Sequence, residues 1–231
     1  MVIPAYNEAA RILPTVAAIA VYMSGLEQPW ELIVSDDGSR DDTATLLEGL
    51  GWANLRVIRH ANTGKGGAVQ RGVLQANGDW VLFADADNST PIEEFSRLLA
   101  ANAPVAIASR HGFGAREANK SVLRQVVSNI LRFVLGTVSG LHVRDTQCGF
   151  KLFRRDAART LFSVQRLHGF SFDLEVLFLA RHYGLEVAEV PVEWFDAPGS
   201  KVNALRDTIR FFKDMLEIRR NARRGLYTQE A

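Results

Sequence analysis

The sequence has almost no cysteine, no long apolar run and no excess of charge of either sign. Its single cysteine, Cys148, excludes an internal disulfide framework, and no Cys/His cluster has the spacing of a zinc site. No stretch approaches the roughly 18–20 apolar residues that a membrane-spanning helix needs. Pro4 and the polar residues Asn7 and Glu8 interrupt the start in a way that no signal peptide does. We therefore expect a soluble or peripheral protein of the cytoplasm.

The balance of charge argues against a nucleic-acid partner. The 27 Lys and Arg residues against 26 Asp and Glu residues leave a net charge of +1, so no overall field attracts a polyanion. Any preference for an anionic ligand must therefore come from local groups of residues.

The hydrophobic pattern predicts a single α/β domain over residues 1–231, because short apolar runs alternate with helical segments. Alternation of this kind favours right-handed βαβ units and a mostly parallel sheet flanked by helices. The predicted strands are residues 1–4, 31–35, 55–58, 80–84 and 105–109, and the predicted helices are residues 8–23, 41–50 and 64–76.

Polar residues follow three of these predicted strands directly: residues 5–8, 36–39 and 85–87. Ligands of parallel sheets bind beyond the carboxyl ends of the strands. We therefore expect a binding site where these three segments meet.

The Asp85-Ala86-Asp87 triplet is a candidate metal site, since its turn places two carboxylates on one side of the chain. Mg²⁺ or Mn²⁺ prefers such oxygen ligands and commonly adds substrate phosphates to them. Triplets of this kind also occur in ordinary loops, so the pattern alone leaves both interpretations open.

Two further segments carry a binding and a structural interpretation side by side. One of Asp36 and Asp37 is expected to accept a hydrogen bond from a uracil or guanine ring, while the other caps the following helix. Lys65, within the glycine-rich residues 62–67, resembles a phosphate-binding group. The spacing is not that of a P-loop, which excludes an ATPase of that type.

Two apolar stretches contain charged residues that need an explanation. Asp173 and Glu175 interrupt residues 172–177, where they are either salt-bridged or functional. Residues 121–141 and 204–224 each combine an apolar helical face with basic residues. Each of these two helices either packs on the core or lies on a membrane surface.

Taken in order, the motifs resemble glycosyltransferase family 2, and within it the dolichyl-phosphate β-glucosyltransferases. The first half carries residues 2–8 (VIPAYNE), 36–39 (DDGS), 64–66 (GKG) and 85–87 (DAD). The second half carries residues 145–153 (DTQCGFKLF), 172–177 (FDLEVL), 192–194 (VEW) and 199–201 (GSK). The resemblance implies a GT-A (Rossmann-like) fold, with a nucleotide-sugar-binding half over residues 1–110 and an acceptor-binding half with amphipathic helices over residues 111–231.

The resemblance also implies roles for individual residues. Donor binding falls to Pro4, Tyr6, Glu8, Asp36, Lys65, Asp85 and Ala86, and the Mg²⁺ or Mn²⁺ ligands are Asp85 and Asp87. Asp87, Arg110 and Lys201 are implied as catalytic groups, and Arg124 and Ser128 as ligands of the acceptor's phosphate. Ser89 stands where related mannosyltransferases have a glutamine that contacts the metal, and the amino-terminal membrane helix of many glucosyl-type relatives is not expected here.

The reaction implied is inverting transfer of a hexose from a nucleotide sugar, UDP-glucose by the later motifs, to a polyprenyl or dolichyl phosphate. Peripheral association with the cytoplasmic face of a membrane is expected with it. Two other enzymes remain open: a GDP-mannose-dependent polyprenyl-phosphate mannosyltransferase, and a family 2 transferase that acts on a saccharide hydroxyl. A non-catalytic module that binds nucleotide sugars or lipid phosphates is the alternative from another class.

Overall fold

The computed structural model describes residues 1–111, 143–195 and 204–228. They form a mixed seven-stranded sheet in the order β3-β2-β1-β4-β6-β5-β7. The strands are β1 (Val2–Ala5), β2 (Leu32–Asp36), β3 (Leu55–Arg59), β4 (Trp80–Ala84), β5 (Val105–Ser109), β6 (Phe150–Arg154) and β7 (Val187–Pro191). The helices are α1 (Ile12–Ser24), α2 (Thr43–Glu48), α3 (Lys65–Leu74), α4 (Phe95–Ala100), α5 (Arg155–Val164), α6 (Phe172–His182) and α7 (Ala204–Arg223), with a short 3₁₀ turn at Ile92–Glu94.

The predicted α/β class and the mostly parallel sheet are confirmed. Strands β1, β2, β3 and β4 pair in parallel, as do β5 and β7, while β6 runs antiparallel between β4 and β5. The five predicted strands are all present within a residue or two of their expected bounds. The strands β6 and β7 were not predicted.

Apolar side chains cover both faces of the sheet because neighbouring residues of a strand point to opposite sides. Val2 packs on one face with α3, α5, α6 and α7, whereas Ile3 packs on the other with α1, α2 and α4. Both side chains are fully buried. Helices on both faces leave the strand ends as the place where polar loops gather.

The helix α7 packs on the core through Phe211, Met215 and Ile218, which are all buried. The prediction that residues 204–224 form a helix packed on the core is therefore confirmed for the side of the helix that carries these three residues. The predicted helix over residues 121–141 lies outside the described residues. In the described part of the chain, no helix is both long and apolar enough to cross a bilayer.

Pro4 lies where the pairing of β1 with β4 has ended. It lies in a central strand although proline has no N–H to donate to a ladder. The β1–β4 pairing is limited to Val2 with Phe83, whereas β1 pairs with β2 along its whole length, to Ala5 with Asp36. Phe83 is the last residue but one of β4, so this pairing ends where the polar segment of residues 85–87 begins.

We expect Gly72→Ala to destabilise the fold through the contact between α3 and β1. A β-carbon at position 72 would lie 2.4 Å from Val2 Cγ1, and overpacking a core contact costs about 1–3 kcal/mol. Chemical denaturation should give a lower free energy of unfolding by that amount. Gly49→Ala, at an exposed helix end with φ −65°, is the matched control and should change it little; equal effects of the two variants would contradict the packing argument.

Candidate active site

The loops after β1 and β2 are joined by hydrogen bonds into one unit. Asn7, at φ +57°, donates its backbone N–H to Ser39 Oγ at 2.9 Å and accepts from the Arg40 N–H at 2.8 Å. The Glu8 N–H donates to Thr43 Oγ1 at 2.8 Å. This unit presents Tyr6, which is 44% exposed, beside the end of β2.

Asp36 and Asp37 are both buried, yet they have different partners. Asp37 accepts from the N–H groups of Thr63 and Gly64, each at 2.8 Å, and so fixes the start of α3. Asp36 accepts only a 3.2 Å bond from Ser39 through Oδ1. Among the described residues, its Oδ2 is buried without a hydrogen-bond donor, and Arg59 Nε forms an ion pair with it at 3.8 Å. The expectation of one structural and one binding aspartate fits this division.

The Asp85-Ala86-Asp87 turn is held from three sides. The Asp85 N–H donates to the carbonyl of Gly149 at 2.9 Å, and Thr15 Oγ1 donates to the carbonyl of Ala86 at 2.8 Å. Asp87 Oδ1 accepts from the Ser89 N–H at 3.0 Å. The backbone of the turn is thus fixed while both carboxylates remain partly exposed, at 32% and 24%.

Lys65, at the start of α3, reaches Asp85. Its Nζ lies 2.6 Å from Asp85 Oδ1 and over the rings of Phe83 and Phe170 at 5.4 and 6.0 Å. Burial alone would lower the pKa of Lys65, but the attraction of Asp85 and Asp173 raises it above its usual value. Lys65 is therefore charged at neutral pH.

A buried ion pair lies behind this contact. Lys151 Nζ donates to Asp173 Oδ1 at 2.7 Å and to the carbonyl of Cys148 at 2.6 Å, and the side chains of Lys151 and Asp173 are at most 5% exposed. Burial raises the pKa of Asp173, and the two lysines oppose this shift. The salt-bridged interpretation of Asp173 is therefore confirmed.

Glu175 is also held by structural contacts. It accepts from the Tyr227 hydroxyl at 2.6 Å and from the N–H groups of Arg166 and Leu167 at 3.0 and 2.7 Å. Burial raises its pKa. Its contacts tie the start of the 166–171 loop and the carboxyl-terminal segment to α6.

Arg110 follows β5 and forms a bidentate pair with Asp145. Its Nε and Nη2 donate to Asp145 Oδ2 and Oδ1 at 2.8 and 2.9 Å, and its guanidinium lies 5.4 Å from the centre of the Trp194 ring. Burial would raise the pKa of Asp145, but hydrogen bonding and attraction from Arg110 lower it to about 2. The pair holds Arg110 in one orientation at the end of β5.

Several predicted site residues thus lie at one edge of the sheet: Pro4, Tyr6, Glu8, Asp36, Lys65, Asp85, Ala86 and Asp87. Glu8 makes an ion pair with Arg11, which also approaches Asp87 Oδ2 to 4.0 Å. Arg124, Ser128 and Lys201 lie outside the described residues, so their roles stay predictions. Sequence reasoning missed Gly149 and Lys151, although both stand in the 145–153 segment that it singled out.

Asp85 and Asp87 suit a hard divalent cation. Both offer carboxylate oxygens at the surface of the site, and Mg²⁺ or Mn²⁺ needs only one or two such ligands beside water and substrate phosphates. Within residues 1–111, 143–195 and 204–228 no cluster of three or more His, Cys, Asp or Glu side chains forms a metal cage. The donor set therefore fits a cation shared with a substrate rather than a closed structural site.

The fold is that of the GT-A glycosyltransferases. Glucosyl-3-phosphoglycerate synthase from Mycobacterium tuberculosis, solved with Mn²⁺, UDP and glucosyl-3-phosphoglycerate, superposes with a TM-score of 0.70 at 23% identity, over 94% of this chain and 78% of that one. Its complex with Mn²⁺, UDP-glucose and phosphoglyceric acid gives a TM-score of 0.68 at 24% identity, over the same shares of the two chains.

The chain belongs to glycosyl transferase family 2, whose model matches residues 1–162. Its relatives include dolichyl-phosphate β-glucosyltransferases from Trichomonas vaginalis, 38% identical over 98% of this chain and 72% of the relative, and from Saccharomyces cerevisiae, 34% identical over 98% and 75%. The human enzyme of that name is 31% identical over 95% and 74%. The resemblance seen in the motifs is confirmed, and the chain is a glycosyltransferase.

We expect Asp145→Asn to lower the free energy of unfolding at neutral pH, by an amount that decreases as the pH falls. The depressed pKa of Asp145 contributes about 2 kcal/mol above the unfolded-state pKa near 4, and this is lost between about pH 4 and pH 2. The difference in unfolding free energy between wild type and variant, measured from pH 7 downward, should shrink in that window. A difference for Asp145→Asn that stays constant across this window would refute the argument.

Proposed function

We propose that this protein transfers glucose from UDP-glucose to dolichyl or another polyprenyl phosphate, with inversion at the anomeric carbon. The observation that carries the proposal is the meeting of Tyr6, Asp36, Lys65, Asp85 and Asp87 at one edge of the sheet. The names of the relatives supply the donor sugar and the acceptor.

Asp36 is the proposed contact of the donor's base. Its Oδ2 is buried without a donor, and a buried acceptor in this state costs free energy until a donor reaches it. The ring N–H of uracil is such a donor. Tyr6 is exposed beside it, where its ring offers a surface for stacking.

Asp85 and Asp87 are the proposed ligands of Mg²⁺ or Mn²⁺. When bound, the cation supplies Lewis-acid stabilisation of the negative charge on the departing diphosphate. Lys65 adds a positive charge at the same place, and Arg110, held by Asp145, lies at the end of β5. Arg124, Ser128 and Lys201 remain proposed ligands of the phosphates.

In the proposed reaction an oxygen of the lipid phosphate forms a bond to the anomeric carbon. The bond from that carbon to the donor's phosphate oxygen breaks, and its electron pair leaves with UDP. A phosphate is ionised at neutral pH and needs no strong general base. Catalysis would then rest on positioning and on compensation of charge.

The environment of Asp173 weighs against a saccharide hydroxyl as acceptor. A hydroxyl would need a carboxylate such as Asp173 to act as a base. Its side chain is 5% exposed and its Oδ1 is bound to Lys151, so it is poorly placed to take a proton from a substrate. A GDP-mannose-dependent enzyme is less well supported, because the relatives are named glucosyltransferases.

We further propose that the protein acts at the cytoplasmic face of a membrane, where its lipid acceptor resides. The exposed face of α7 and the residue after it carry Lys213, Arg220, Arg223 and Arg224 around Leu216, which is 62% exposed. Glu217 lies on this face as well, but basic side chains outnumber it. Such a basic face with an apolar side chain suits an anionic lipid surface.

The proposed reaction predicts transfer of label from UDP-[¹⁴C]glucose to a short polyprenyl phosphate in the presence of Mn²⁺. Asp87→Ala should abolish transfer, since one of two metal ligands is lost, with an unchanged circular dichroism spectrum and unfolding midpoint. A panel including GDP-mannose, and a saccharide in place of the lipid phosphate, tests the alternatives. Full activity in EDTA would refute the requirement for a divalent cation. Transfer from GDP-mannose and from no other donor would refute UDP-glucose as the donor.

Replacing Arg220, Arg223 and Arg224 together with glutamine should weaken binding to vesicles that contain phosphatidylserine. Each basic residue near an anionic surface contributes about 1 kcal/mol, so the partition coefficient should fall roughly a hundredfold in a sedimentation assay. Replacing Arg97, Arg155 and Arg159, which lie elsewhere on the surface, removes the same charge and should have less effect. Equal losses for the two triple variants would contradict a specific basic face.

A further inference from the structure

Lys65 and the proposed divalent cation need the same carboxylate. Lys65 Nζ lies 2.6 Å from Asp85 Oδ1, the shortest kind of ion-pair contact, and Asp85 is one of only two proposed ligands. Two cations on one carboxylate repel each other, and the repulsion is strong where water is partly excluded. The Lys65 side chain is only 21% exposed, so solvent screens this repulsion incompletely.

We propose that Lys65 competes with the divalent cation for Asp85. When donor and cation bind together, the Lys65 side chain moves so that its ammonium group leaves Asp85 and pairs with the donor's diphosphate. The inference rests on the proposed function, because it takes the metal and the diphosphate from it. It assigns Lys65 a second task besides phosphate binding, which is to keep the affinity for cation low until the nucleotide sugar is present.

The surroundings of Lys65 allow such a transfer. Its backbone is fixed at the start of α3, where Asp37 holds the preceding residue, Gly64, at 2.8 Å. Its long side chain reaches Asp85 over the Phe83 ring, and a lysine is a point charge on a flexible stem that changes partners without a fixed geometry. The same residue also lines a cleft with His168, Phe170 and Arg210, so open space lies next to Lys65.

Asp173 holds Lys65 less strongly than Asp85 does. It attracts Lys65 electrostatically, but its Oδ1 is bound by Lys151 at 2.7 Å. Lys151 therefore compensates the second carboxylate near Lys65, and Asp85 remains its direct ionic contact. A cation on Asp85 removes the attraction of that contact, while a bound diphosphate offers a new one.

A permanent Lys65–Asp85 salt bridge would be the simpler arrangement, and the two differ in what a neutral side chain does. If Lys65 competes, Lys65→Met frees Asp85 and strengthens cation binding when no nucleotide is present. If Lys65 only orients Asp85, the same change loosens the carboxylate and weakens cation binding. The sign of the effect therefore decides between them.

The test is calorimetric titration with Mn²⁺ alone, followed by titration of Mn²⁺-loaded protein with UDP. For Lys65→Met we expect Mn²⁺ to bind about tenfold more tightly and UDP about tenfold more weakly than in wild type, as removal of one charge near each ligand predicts. Lys65→Gln should behave in the same way, and provides a second neutral variant if the first fails to fold. Lys65→Arg keeps the charge and should leave Mn²⁺ affinity near that of wild type.

Two controls separate this inference from the proposed function. Arg159→Met removes an exposed positive charge on α5 and should leave both affinities unchanged, while Asp85→Asn should abolish the Mn²⁺ signal. If Mn²⁺ binds through Asp85 but with unchanged or lower affinity in both neutral variants, the proposed competition is wrong. The proposed function is not affected by that result. If wild type binds no Mn²⁺ through Asp85, with or without UDP, the competition and the metal-dependent function both fail.

Discussion

The contact between Gly149 and Asp85 is the constraint around which the site is built. The Asp85 N–H donates to the Gly149 carbonyl, and a β-carbon at position 149 would lie 1.9 Å from Asp85 Oδ2. Only glycine lets the two segments approach this closely. The contact continues the antiparallel pairing of β4 with β6, in which Ala84 lies opposite Phe150. The strand β6, contributed by the second half of the chain, thereby positions an acidic residue of the first half.

Pairing of opposite charges explains how so many ionic side chains are accommodated beside this contact. Asp85 meets Lys65, Asp173 meets Lys151, and Asp145 meets Arg110. Buried charges are costly unless they are paired and hydrogen-bonded. Lys151 meets this condition with a carboxylate and the Cys148 carbonyl, which also fixes the residue before Gly149. The buried Lys151–Asp173 pair therefore helps to fix the position of Asp85 through the neighbouring residue Gly149.

The parts of the fold that follow from local pattern were predictable. The strands β4 and β5 were predicted with the bounds that they have, because each is a continuous apolar run that polar residues end. The strand β6 was missed because Lys151 interrupts its apolar pattern, and the reason that a lysine is tolerated there is Asp173 on a distant helix. The sequence contains both residues, but only the tertiary fold brings them together.

The same limit applies to the site, and the neighbouring residues Asp36 and Asp37 illustrate it. The sequence predicts that one of the two is structural, yet two adjacent residues of one type carry no information on which one. Residue 36 is the last of β2 and stands opposite Ala5, whereas residue 37 lies beyond the strand, where the N–H groups of Thr63 and Gly64 meet its carboxylate. Because these donors bind Asp37, Asp36 is the buried carboxylate of the two with an oxygen that accepts no hydrogen bond. The proposed role of Asp36 thus depends on a loop almost thirty residues further along the chain, which no local pattern around Asp36 contains.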